Sequence, residues 1–138
     1  MRLSHSTAAV IAAVLATGLV ACASDERASP EQSAPESVVE VSDQPGSVEG
    51  YEGALEDAEI VSCDADGDQL FVAGTVTNPE AEPRDYRIYV SAMDGSETVG
   101  LVQVDVQSVA PGATEDWAAE LELGAEDLHC HLRVERFP

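Results

Sequence analysis

Lysine is missing from this sequence. Its 138 residues hold six basic side chains, all arginine (Arg2, Arg27, Arg84, Arg87, Arg133 and Arg136), against 27 Asp and Glu, for a formal net charge of -21. A surface so charged repels phosphate backbones and anionic headgroups alike, which argues against nucleic-acid binding and against electrostatic docking on a membrane. With no side-chain amine there is no Schiff-base chemistry. No G-x-S-x-G, P-loop or H-E-x-x-H string occurs, and after the first residues His129 and His131 are the only imidazoles available as a base at neutral pH. Carboxylates are too plentiful for any pair to mark a glycosidase dyad. The chain reads as non-enzymatic, with no catalytic residue and no cofactor.

Long apolar runs are scarce too. The apolar stretch at residues 8–20 is shorter than the about 20 residues a membrane helix needs, and no amphipathic face is visible in it. Arg2 precedes it and small residues follow, the layout of an export signal. Leu19, Val20, Ala21 and Cys22 resemble the bacterial lipobox, in which cleavage falls before the cysteine. That resemblance implies a diacylglycerol thioether on Cys22, and acyl chains worth about 0.8 kcal/mol per buried CH2 can replace a lost helix as anchor. Residues 1–21 are thus expected to be a lipoprotein signal peptide, and the mature chain to be exported and held by lipid on the outer face of the cell membrane.

Residues 22–57 are rich in Glu, Ser, Pro and Asp and hold too little apolar surface to offset the entropy of ordering. The reading is a disordered acidic tether, averaging about 30–35 Å end to end as a coil of about 35 residues. "VVEV" at 38–41, flanked by turn formers, is left in that tether.

From residue 58 to 138 the pattern is strands. At 69–78 Leu70, Val72, Gly74 and Val76 share one face; at 85–93 Tyr86, Ile88, Val90 and Ala92 do; at 98–109 Val102, Val104 and Val106 do. Trp117, Ala119, Leu121 and Leu123 alternate with polar or small residues at 115–123, and Cys130, Leu132 and Val134 alternate with His131, Arg133 and Glu135 at 130–137. Asp94-Gly95 and Pro111-Gly112 mark turns. With an opening strand near 60–64, these predict an all-β, Ig-like antiparallel sandwich of about six to seven strands. Tyr89 and Arg133 are expected to face outward.

With Cys22 assigned to the lipid, Cys63 and Cys130 are an even pair in an oxidising compartment, most simply a disulfide. Cys63 is placed on a face with Val61, and Cys130 with Leu132 and Val134, so that the two meet between the first and last strands. A redox or metal-binding pair would call for a short C-x-x-C spacing that is absent. Two stretches hold candidate cation ligands, though their plain readings are an acidic hairpin turn and solvated strand histidines, and no metal site is assigned. "DADGD" sets Asp64, Asp66 and Asp68 around Gly67, but lacks the sixth-position glycine and twelfth-position Glu of an EF-hand. "HCH" sends His129 and His131 to one outward face, without a third ligand nearby in sequence.

"AGTVTN" (73–78), "DYRIYV" (85–90), Asp94-Gly95, "VAPG" (109–112), Trp117 and Cys130 together resemble the FxLYD-type domain of short actinobacterial lipoproteins. Where the name-giving string would fall, this chain has "VSAMD" at 90–94 and keeps only the aspartate. The resemblance implies an Ig-like extracytoplasmic sandwich and brings no catalytic residue. The expected function is a binding or accessory module meeting an envelope protein or cell-wall component. The alternative is a cation- or metal-handling lipoprotein using the acidic turn or His129 and His131.

Overall fold

The computed structural model describes residues 38–138. Eight strands form two sheets: β1 Val38–Glu40, β2 Glu52–Gly53, β3 Ala58–Asp66, β4 Gln69–Thr77, β5 Arg84–Asp94, β6 Glu97–Val109, β7 Thr114–Glu122 and β8 His129–Phe137. A 3-10 turn, Leu55–Asp57, precedes β3. The larger sheet has the order β1-β6-β5-β8-β2 and the smaller β3-β4-β7. The architecture is a β-sandwich, as the alternation predicts. In immunoglobulin terms, β3, β4 and β7 hold the places of strands A, B and E, and β6, β5 and β8 those of C′, C and F. The two-residue β2 stands beside β8 where a final strand G would pair.

The six strands expected from residue 58 onward are present, and the two extra ones come from the segment expected to be disordered. For residues 38–57 that expectation is corrected. Val39 lies opposite Leu101 in a parallel pairing with β6, and Glu52 opposite Arg136 in an antiparallel pairing with β8. The larger sheet is therefore mixed rather than purely antiparallel. The folded unit begins before residue 58.

Facing rows of Leu70, Val72, Val76, Tyr86, Ile88, Val90, Trp117, Leu121 and Val134, all nearly solvent-free, fill the space between the sheets. Gly74 lies opposite Trp117, and a Cβ there would overlap both the indole and the Glu59 carbonyl oxygen, so only glycine admits the ring. Asn78, fully buried where the chain leaves β4, ties two connections together. Its Nδ2 donates to the carbonyls of Glu82 and Val109, and its Oδ1 accepts from the Glu80 N–H.

Candidate functional surfaces

The outer face of the larger sheet is closed across its middle by the chain's own segment 41–51, which runs as a strap between β1 at one edge and β2 at the other. Gln103 on β6 accepts from the amides of Ser42 and Asp43, both at 3.1 Å. On β5 the Tyr89 hydroxyl donates to the Asp43 carbonyl at 2.8 Å, and Arg87 lies 3.1 Å from the Asp43 carboxylate and 2.9 Å from that of Asp105. Glu135 on β8, fully buried, accepts the Gly46 amide at 2.7 Å and the Arg133 guanidinium at 2.9 Å through Oε1. Its Oε2 accepts no hydrogen bond from another described residue. Gly46 has φ +78 and passes so close to Arg133 and Tyr51 that a Cβ would crowd both.

The strap corrects the outward assignment of Tyr89. The ring does leave the core side of β5, but segment 41–51 covers it and leaves it 1% exposed. Burial, and next the Glu135 charge, raise its phenol pKa. Arg133 does face outward, with its guanidinium over the Tyr51 ring.

A second ion-pair group fastens β2 and the 3-10 turn. Arg136 reaches Glu52 at 2.8 Å, Asp57 at 2.9 Å and Glu80 at 3.2 Å, and the Tyr86 hydroxyl donates to the same Asp57 oxygen at 3.0 Å. Burial foremost, then the Asp57 carboxylate, push the Tyr86 phenol up to about 12. The hydrogen bond from Arg136 lowers the pKa of Glu52, and that to Glu52 raises the pKa of Arg136. These carboxylates are engaged in holding the N-terminal segment to the sandwich.

Cys63 and Cys130 are joined, their Cα atoms 6.2 Å apart, linking the first strand of the smaller sheet to β8 of the larger. The route by which Cys63 turns inward differs from the simple alternation. Ile60 pairs with Gly74 and Ser62 with Ala73, leaving Val61 as an extra residue in a bulge. Val61 is thrown out to solvent, 68% exposed, while Ile60 and Cys63 both pack against the core. Without the bulge, Ile60 and Cys63 would fall on opposite faces.

Asp64, Asp66 and Asp68 are exposed around the β3–β4 turn, where Gly67 takes φ +63. Among the described residues no group of three or more His, Cys, Asp and Glu is placed to hold a metal ion. His129 and His131 are exposed on the outer face of β8, cross-strand from Met93 and Ser91 respectively. Cys22, with the expected signal peptide, lies outside the described residues. Among those described, no helix is long and apolar enough to cross a membrane.

No strap of described residues crosses the outer face of the smaller sheet. Phe71, Ala73 and Ala118 lie along its middle, with Ala73 opposite Ala118 and Phe71 opposite Glu120, and Val61 projects at the β3 edge. Glu59, Asp64, Asp66, Asp116, Glu120 and Glu122 surround them. The four described arginines all belong to β5 and β8, each paired with acids outside the smaller sheet, so that sheet's carboxylates have no basic neighbour on their own strands. An open sheet face with an apolar centre and a charged rim is suited to contact with another macromolecule. No family model, curated protein or solved structure matches this chain.

Proposed function

We propose that this chain is a cell-envelope lipoprotein, anchored through an acylated Cys22, whose Ig-like sandwich serves as a non-enzymatic binding or accessory module for an envelope protein or cell-wall component. The observation that carries the binding role is the contrast between the two outer faces. One is closed across its middle by the strap; the other leaves Phe71 and the bulged Val61 in solvent on a crosslinked sheet. The FxLYD-type resemblance of the turn and core residues agrees with an extracytoplasmic sandwich. A disulfide fits an oxidising compartment, and the short apolar run ending at Cys22 supplies a route to it.

The test is face-resolved photo-crosslinking in intact cells. A crosslinker at Phe71 or Ala118 is expected to capture one dominant partner, whereas one at Ser47, on the strap, does not. Equal capture of assorted neighbours from both positions would overturn the binding role.

A further inference from the structure

The sequence pairs His129 with His131 but offers no third ligand near them. The fold supplies one from another strand. Met93 on β5 is directly opposite His129 on β8, and Ser91 is opposite His131, in an unbroken antiparallel register. Cys130, between the two histidines, and Ala92, beside Met93, both turn to the core. Met93, His129 and His131 therefore share the outer face. Directly opposed residues have Cβ atoms about 5 Å apart and diagonal ones about 7–8 Å, distances that a thioether and two imidazoles bridge by converging above the sheet.

A second irregularity sets the methionine. Between β5 and β6 the register passes from Ala92–Gly100 to Met93–Thr98, so Val99 is the extra residue; it is 4% exposed and turned inward. That brings Thr98 beside Met93 on the side of β5 away from β8, and its hydroxyl donates to Met93 Sδ at 3.1 Å, a bond the thioether exchanges for the ion as it swings toward the histidines. The strap's contacts with β5 are at Tyr89 and Arg87, toward the other end, and the histidines are exposed. The nearby sulfur of Cys130 is held in the disulfide and cannot compete as a thiolate.

We propose that Met93, His129 and His131 form a surface site for copper(I). Two imidazoles and a thioether are a soft set suited to that ion, whereas calcium calls for oxygen ligands and structural zinc sites for imidazole, thiolate or carboxylate. A low-coordinate ion on an open sheet face would also be accessible for exchange. The inference rests on strand register and ligand chemistry, and stands apart from the binding-module reading.

Its test is a copper(I) titration of the full chain carrying Cys22→Ala, which removes the one cysteine outside the disulfide. Ascorbate serves as reductant, without thiols, and a chromophoric chelator as competitor. One copper(I) per chain is expected. Met93→Leu, which keeps the packing, is expected to weaken copper(I) binding by about tenfold or more while leaving zinc(II) affinity unchanged. His129→Gln combined with His131→Gln is expected to abolish copper(I) binding, with near-ultraviolet circular dichroism unchanged. X-ray absorption is expected to show a sulfur scatterer in the parent chain and none in Met93→Leu. Copper(I) affinity indifferent to either variant, or a Met93→Leu loss equal for zinc and copper, overturns the site.

Discussion

Replacing both Cys63 and Cys130 by serine is expected to lower the unfolding free energy by about 4 kcal/mol. The bond joins residues 67 apart in sequence, nearly the whole span from β3 to β8, and on the chain-entropy account opening a loop of that size frees the unfolded chain and so favours unfolding. Small domains have about 5–15 kcal/mol in total, so the variant should be marginal. The inward phase of Cys63 ties the bulge at Val61 to the same effect. Urea unfolding of the parent and double-serine chains measures the difference. A loss below about 1 kcal/mol would mean that the smaller sheet is held by packing alone.

The second large effect is expected at Glu135. Glu135→Ala leaves the Gly46 amide without its acceptor and the Arg133 guanidinium without its carboxylate. Because the Arg133 side chain is 49% exposed and is hydrated once freed, no buried charge is left unpaired, and the cost is that of the Gly46 amide losing its acceptor, about 1–3 kcal/mol. The same variant should loosen the strap. Hydrogen exchange at the Gly46 amide is expected to quicken more than exchange in the β4–β7 ladder, and Tyr89 to become accessible to solvent quenchers. Unchanged protection at Gly46 would show that Gln103 and Tyr89 hold the strap without help from β8.

The main strands were legible because their signal is local. Leu70, Val72 and Val76 on β4, or Tyr86, Ile88 and Val90 on β5, alternate within a few residues, and the period of two leaves one choice of inward face. The strap was not legible for the opposite reason. Its composition is that of a disordered chain, and what orders it are a few hydrogen bonds to Gln103, Tyr89 and Glu135, from 46 to 89 residues away. The Pro45-Gly46 pair is the turn signal that hinted at order there. Val61 illustrates a different limit: a bulge shifts the phase of β3 by one residue, and alternation alone cannot report it. Met93 was missed as a neighbour of His129 because a cross-strand pair exists only once register is known. The alternation did bring Cys63 and Cys130 together, although by way of a strand face that the bulge rearranges.

These features place a strapped, disulfide-closed sandwich at the end of a chain whose first residues read as an export signal and lipobox. The central proposal is the anchor, since it sets the compartment in which the open face of β3-β4-β7 and the Met93 pair with His129 would operate. The most direct test is the intact mass of protein extracted with detergent from the producing cells, with fragmentation of its N-terminal peptide. The proposal predicts a mature chain beginning at Cys22 and carrying a diacylglycerol thioether, with that mass lost in Cys22→Ser. An unmodified thiol at Cys22, or an N-terminus elsewhere, would contradict it.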